Sequence, residues 1–215
     1  MKQTIVITCI VLCVFAEGML HQSRLVSSGL GARAALRPPI SAHVAVVEFE
    51  DLECPACARL NSVIQDVTKR YQIPCVRHDF PLRDHLWSFQ AAVDARWFDL
   101  HSNQLGNEFR DEIFRNQTQI ESQADLYRFA VQFSKRFNVD FPTSVDPRGM
   151  LSAGVRADIM LGTRLGVNHT PTVWIVSDRG TTRHSVEMDS EAQISQMVYE
   201  ELRSITSAKN ATHLN

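Results

Sequence analysis

The order of hydrophobic patterns along the 215-residue chain predicts an α/β fold that is interrupted by a block of helices. A strand, a helix and a second strand come first, whereas two strands and a helix come last. The residues between these two groups have helical periodicity. A strand–helix–strand unit favours parallel pairing of its two strands, so we expect a sheet that is parallel at that point.

The first unit starts with an apolar, β-branched run at residues 43–50, which has the length and composition of a buried strand. Pro55 follows at a position typical of the first residue of a helix. The apolar residues after it recur with helical spacing. They are Leu60, Val63, Ile64 and Val67. Residues 73–80, with Pro74 near their start and Pro81 directly after them, predict the second strand.

Helical periodicity continues through the middle of the chain, where aromatic residues recur every three or four positions. The two clearest stripes are Phe89, Val93 and Trp97, and Leu126, Phe129, Ala130, Phe133 and Phe137. Strand patterns return at 172–176 and 182–186, and a helix is predicted after Ser190. We therefore predict an α/β domain at 43–83 and 166–207, a helical insertion at 84–165 and a tail at 208–215.

Composition and charge exclude several classes of protein. Hydrophobic residues make up 44% of the chain and the net charge is −2. The first value argues against disorder, and the second provides neither a basic surface for nucleic acid nor a polybasic patch for a membrane. We expect a globular protein that does not bind nucleic acid.

The first residues have the pattern of an export signal. Lys2 precedes an uncharged apolar run at residues 5–16, which is shorter than the roughly 20 residues of a membrane span. We predict a signal peptide over residues 1–16, with an uncleaved membrane anchor as the alternative, and a leader or linker over 17–42. The chain would then be periplasmic or otherwise extracytoplasmic, in a compartment where disulfides persist.

The chemistry-bearing motif is Cys54-Pro55-Ala56-Cys57, at the junction of the first strand and its helix. With Pro55 as the first helical residue, Cys54 is the N-cap, where unpaired backbone N–H groups and the helix dipole favour a thiolate. We predict that Cys54 is the nucleophile. Cys57 lies on the same face of the helix, where it can form a disulfide with Cys54 or resolve a mixed disulfide.

Two other interpretations of the motif stay open. Cys54 and Cys57 would be half of a zinc site, but no second ligand pair is visible in the sequence, so no metal is expected. A purely structural disulfide would gain little, because the loop that it closes has only four residues.

Three motifs in order resemble the DsbA-like branch of the thioredoxin superfamily. They are Glu48-Phe49 on the strand, Cys54-Pro-Ala-Cys57 at the helix start and Thr170-Pro171-Thr172 entering the later strand. The resemblance covers roughly residues 40–207 and implies a thioredoxin fold with an inserted helical domain. It also implies a cis peptide bond before Pro171, facing the cysteines.

The same resemblance implies a function. The chain would be a thiol–disulfide oxidoreductase of exported, cysteine-containing polypeptides, with no cofactor and with a membrane redox partner, either a quinone-linked oxidase or a thiol reductase. Thr170 and Pro171 would shape the substrate site, and Glu48 would be a buried acid that relays the proton of Cys57. No dimerisation domain is visible, so we expect a monomer. The motifs do not separate an oxidase from a reductase or isomerase, and a non-catalytic peptide-binding module is the alternative from another class.

The residue after Pro55 departs from the family pattern. Ala56 stands where the best-known oxidant of the family has His, and it cannot stabilise the Cys54 thiolate. The nearby acids Glu50, Asp51 and Glu53 are expected to raise the pKa of Cys54, so we predict a milder oxidant.

Two further side chains have open roles. We hypothesise that His169 supplies the donor that Ala56 cannot, the alternative being a solvent-facing loop histidine. Cys75 is expected to be an inert, buried thiol.

Overall fold

The computed structural model describes residues 36–180, 182–185 and 191–212. The predicted signal segment 1–16, most of the leader and the Ser190 cap lie outside this part of the chain. The elements are β1 Val44–Glu50, α1 Pro55–Tyr71, β2 Cys75–Asp79, α2 Ser88–Asp99, α3 Asn103–Asn116, a 3-10 turn Gln117–Gln119, α4 Gln123–Arg136, α5 Met150–Leu165, β3 Thr172–Ser177, β4 Thr182–Ser185 and α6 Glu191–Thr212.

The four strands form one mixed sheet with the order β2-β1-β3-β4. β1 pairs in parallel with β2, as the strand–helix–strand unit predicts, and Val46 lies opposite Cys75. β1 pairs antiparallel with β3, where Glu48 lies opposite Val173. β4 continues the sheet antiparallel to β3.

β1 is the centre of the sheet, and all seven of its residues are buried. Alternate residues of a strand point to opposite faces, so β1 contributes to two cores. Val44 and Val46 pack with Leu60 of α1 and Ile194 of α6. The other face packs against α5, where a Cβ on Gly162 would lie 2.7 Å from the Phe80 ring, so only glycine permits this close approach.

The helices between β2 and β3 have an aromatic core of their own. Phe98, Phe109 and Phe133 pack with ring centroids 4.4 to 5.1 Å apart. The same cluster contains Cys54 and Cys57, so the helical insertion packs directly against the start of α1. This contact places Cys54 and Cys57 between the sheet and the helical insertion.

The structure differs from the sequence predictions at two boundaries and in the buried face of one helix. The last helix runs to Thr212, into the predicted tail at 208–215, because residues 208–212 contain no proline or glycine to end it. The predicted insertion at 84–165 includes α5, which ends at Leu165. In the structure α5 packs on the sheet, so it contributes to the core of the sheet domain. Within α2, Ala91, Ala95 and Phe98 are more deeply buried than the predicted stripe, because this helix is covered on several sides.

No helix in the described ranges combines the length and the hydrophobicity that crossing a membrane requires.

Candidate active site

Cys54 lies at the N-cap of α1, as the sequence predicts, with extended backbone angles and Pro55 as the next residue. Its side chain is 7% exposed and Cys57 is fully buried, so Cys54 is the sulfur that a substrate can reach. Ala56 is partly buried against the insertion core. Both cysteines are free thiols, and the structure therefore represents the dithiol form.

The pKa of the Cys54 thiol is lowered to about 5. The main cause is a hydrogen bond from the Cys57 thiol, which outweighs the opposing effect of burial. Backbone N–H groups of Cys57 and Ala56 and the Thr170 side chain lower this pKa further. Cys54 is thus a thiolate at neutral pH, which is the nucleophilic form of cysteine.

Burial has the opposite effect on Cys57. It raises the pKa of this thiol well above the ordinary value, and the hydrogen bond to Cys54 and the nearby Cys54 and Glu48 charges raise it further. The backbone N–H of Asp51, 3.5 Å from the Cys57 sulfur, lowers the pKa only partly. The two cysteines therefore have unequal roles, with Cys54 ionised and Cys57 holding its proton.

Glu48 is a buried acid on the side of β1 that faces α1, with 1% of its surface exposed. Burial raises its pKa to about 8, the neighbouring Glu50 raises it too, and Arg77 opposes this change. The Oε1 atom of Glu48 has no hydrogen-bond partner in the described part of the chain. Glu48 can hold or release a proton near neutral pH, and its charge acts on Cys57.

The loop before β3 faces the cysteines. The Thr170–Pro171 peptide bond is cis, and the Cys54 sulfur lies 3.4 Å from the Thr170 carbonyl oxygen, to which it donates a hydrogen bond when it is protonated. The Thr170 hydroxyl is buried without another hydrogen-bond partner among the described residues, so it is available to donate to the Cys54 thiolate. The structure thereby brings together the two motifs that the sequence separates by more than a hundred residues.

The expectation that nearby acids raise the pKa of Cys54 is wrong, because each acid is engaged elsewhere. Glu50 accepts three hydrogen bonds from the Arg77 guanidinium, at 2.8 to 3.0 Å. Asp51 accepts from the backbone of Glu53 and Leu82. Glu53 accepts from three consecutive backbone N–H groups, those of Leu86, Trp87 and Ser88.

These contacts fix the loop that carries Cys54 rather than opposing its charge. Asp51 and Glu53 tie the residues before Cys54 to the segment that leads into α2. Gln117 completes the arrangement from the insertion, since its side-chain amide donates to the carbonyl oxygens of Leu52 at 2.7 Å and Cys54 at 3.0 Å. Sequence reasoning missed Gln117, because nothing in its local pattern indicates that it reaches a loop 63 residues earlier.

His169 lies in the loop before β3, directly before Thr170. It is partly buried, and its Nδ1 atom lies 2.7 Å from the Asn168 side-chain oxygen. The strongest influences on the pKa of Cys54 do not include His169. Its role as a donor to Cys54 stays a prediction.

Cys75 lies on the edge strand β2 and is partly buried. Burial, followed by the charge of Glu48, raises the pKa of its thiol well above the ordinary value. This thiol is therefore protonated and unreactive at neutral pH. Across the described residues, no group of three or more His, Cys, Asp or Glu side chains is arranged to hold a metal ion.

The fold and this site define a class of protein: a thioredoxin fold with an inserted helical domain and a Cys-x-x-Cys at the start of its first helix. The family model described as Thioredoxin matches residues 40–194, and the chain belongs to the thioredoxin family. No curated protein sequence matches the chain.

Several solved structures share this fold at low sequence identity. The thiol-disulfide exchange protein alpha-DsbA2 from Wolbachia pipientis is 16% identical, with a TM-score of 0.60 over 76% of this chain and 84% of that one. A periplasmic thioredoxin-like protein from Salmonella enterica serovar Typhimurium is 18% identical, with a TM-score of 0.59 over 74% and 84%. The catalytic domain of Proteus mirabilis ScsC is 17% identical, with a TM-score of 0.61 over 77% and 87%. The fold is thus that of DsbA-like proteins.

Proposed function

We propose that the chain is a thiol–disulfide oxidoreductase that acts on cysteine-containing exported polypeptides through Cys54 and Cys57. The observation that carries the proposal is the unequal ionisation of the two thiols, with the pKa of Cys54 lowered to about 5 and that of Cys57 raised. A structural disulfide needs no such asymmetry. Exchange needs it, because one sulfur must be a good nucleophile and leaving group while the other waits in its protonated form.

The exchange reaction follows from this geometry. In the oxidising direction, a substrate thiolate attacks the Cys54 sulfur of the Cys54–Cys57 disulfide, and the Cys57 sulfur leaves and takes a proton. A second substrate thiolate then attacks the substrate sulfur of the mixed disulfide, and Cys54 leaves as a thiolate. The substrate gains a disulfide and loses two electrons, which reduce the protein to the dithiol form.

Glu48 supports the proton movement at Cys57. Its carboxyl group has a pKa of about 8 and acts electrostatically on Cys57, so it can give or take a proton at neutral pH. Thr170 supports the sulfur that reacts, since its side chain lowers the pKa of Cys54 and so stabilises the thiolate. Thr170 and Pro171 also border the position that an extended substrate must occupy to reach Cys54.

The low pKa of Cys54 supports net oxidation as the direction. A stabilised thiolate favours the reduced protein, so its disulfide is readily passed to a substrate. Thioredoxin combines a thiol pKa of about 7 with a potential of about −270 mV, and DsbA combines about 3.5 with about −120 mV. With the Cys54 pKa at about 5, we place the potential of this pair between those two values, which agrees with a milder oxidant.

An extracytoplasmic location is part of the proposal. The apolar segment after Lys2 supports it, as does the similarity to a Salmonella protein that is described as periplasmic. In that compartment the dithiol form would be reoxidised by a membrane redox partner. Net reduction or isomerisation would instead require a partner that keeps Cys54 and Cys57 reduced.

Trapping the mixed disulfide tests the proposal. With Cys57→Ser, the hydroxyl cannot attack the mixed disulfide, so a covalent complex between Cys54 and reduced, unfolded substrate is expected to accumulate under oxidising conditions. Mass spectrometry of the complex identifies the sulfur that is joined. The matched control is Cys57→Ser combined with Cys54→Ser, which leaves only Cys75 among residues 36–180 and should form no complex. A purely structural disulfide would give no complex in either variant.

A further inference from the structure

A cavity of about 360 Å³ lies in the helical insertion and shares no residue with the candidate active site. Its walls come from α2, α4, the segment before α5 and the first turn of α5. Thr143 and Ser144 are exposed at its edge, so the cavity opens to solvent.

The most unusual group in this cavity is the carboxyl group of Asp94, a residue of α2 that is 3% exposed. One of its oxygens accepts a hydrogen bond from the Gln90 side-chain amide at 2.7 Å. In the described part of the chain, the second oxygen has no hydrogen-bond partner, and no Lys, Arg or His forms an ion pair with Asp94. Burial without a cation raises the pKa of Asp94 to about 7. Buried carboxylates are normally paired, so this one lacks its complement.

The other carboxyl group that lines the cavity is already engaged. Asp146 accepts from the backbone N–H groups of Leu151 and Ser152 and from the Ser152 hydroxyl, at 2.6 to 3.1 Å. It caps the start of α5, where the helix dipole favours a negative charge. Asp94 is therefore the carboxylate that remains available for a ligand.

Aromatic rings form another wall of the cavity. Tyr127 and Phe141 both line it, with ring centroids 6.0 Å apart. Phe141 is fixed by stacking on Phe98 and by an edge contact with Trp97. The face of an aromatic ring attracts a cation, and such a face beside a carboxylate is suited to a positively charged organic group.

We propose that this cavity binds an organic cation, namely an ammonium or guanidinium group, with Asp94 as its counter-ion and Tyr127 and Phe141 against its apolar part. The group is carried either by a free small molecule or by a Lys or Arg side chain of a bound polypeptide. A volume of about 360 Å³ accommodates the charged group together with its alkyl chain.

Calorimetric titration of the full chain with agmatine, a small guanidinium compound, tests the proposal. We expect saturable binding of agmatine and none of N-(4-hydroxybutyl)urea, a neutral analogue in which a urea replaces the guanidinium group and a hydroxyl replaces the ammonium group. Asp94→Asn removes the charge while keeping the acceptor for Gln90, and it is expected to weaken agmatine binding by about tenfold or more. Asp66→Asn, at an exposed acid of α1, is the matched control and should leave the affinity unchanged.

The peptide acetyl-Gly-Arg-Gly-amide distinguishes the two sources of the cation. Affinity at least tenfold above that of agmatine indicates a polypeptide side chain, and equal or lower affinity indicates a free small molecule. The proposal is overturned if neither probe binds at millimolar concentration, if the urea analogue binds as well as agmatine, or if Asp94→Asn keeps the affinity of the unaltered chain. The comparison of agmatine with its neutral analogue uses the unaltered chain and so does not depend on how a variant folds.

Discussion

Cys54→Ser is expected to abolish thiol–disulfide exchange, so that reduction of insulin and oxidation of a reduced substrate both fall to the uncatalysed rate. The reason is that Cys54 is the ionised and reachable sulfur, whereas Cys57 is fully buried with its pKa raised. A serine hydroxyl is not ionised at neutral pH and forms no disulfide. Turbidity in the insulin assay and thiol counting in the oxidation assay measure the two directions.

Cys75→Ser is the matched control for this loss. Cys75 is a protonated thiol outside the candidate site, so its replacement should leave the rate of exchange unchanged. Residual exchange by the Cys54→Ser variant above the uncatalysed rate would show that another sulfur reacts, and would contradict the assignment of Cys54 as the nucleophile.

Glu48→Gln is expected to stabilise the protein at alkaline pH while slowing exchange. Burial raises the pKa of Glu48 from 4.5 to about 8, so the folded state keeps a proton that the unfolded chain has already lost. The contribution that protonated Glu48 makes to the free energy of unfolding is therefore complete at low pH and is lost as the pH rises from about 4.5 to about 8. This loss amounts to at most about 5 kcal/mol. The variant avoids it, but its glutamine amide is buried without full hydrogen bonding, which costs about 1–3 kcal/mol. We expect a net gain of about 2–4 kcal/mol for the variant at pH 8.5 and no gain near pH 4.

Urea unfolding of the dithiol form across this pH range measures the difference in stability. Glu121→Gln, at an exposed acid, should match the unaltered chain at every pH. In stopped-flow assays, exchange by Glu48→Gln should slow by about tenfold or more, because the proton of Cys57 has lost its relay. Equal stability of the two proteins at pH 8.5 would mean that Glu48 is not held protonated by burial.

The order of the elements could be predicted because hydrophobic periodicity depends on local sequence. The apolar run at 43–50 and the helix after Pro55 are such local signals, and the structure has both. The position of Cys54 at the N-cap followed in turn from Pro55. The buried acid at Glu48 was predicted from the resemblance to DsbA-like proteins, since local pattern alone does not indicate it.

The electrostatics of the site could not be predicted in the same way. The acids near Cys54 were expected to raise its pKa through their negative charge. Their binding partners could not be seen in the sequence because they are distant along the chain: Glu50 pairs with Arg77, and Glu53 with the start of α2. Gln117 reaches the same loop from the insertion. In each case the sequence shows the charge or the amide, whereas the fold decides where that group is directed.

The pH dependence of Cys54 alkylation tests the central claim most directly. The dithiol protein is treated with iodoacetamide over a range of pH values, and mass spectrometry of the digested protein quantifies the modification of Cys54 separately from that of Cys57 and Cys75. The rate at Cys54 should follow its thiolate and rise to half of its plateau near pH 5, because the Cys57 thiol, the backbone N–H groups and Thr170 stabilise the charge. A midpoint near pH 9, the ordinary value for a cysteine thiol, would contradict the account, since the site would then not stabilise the Cys54 thiolate.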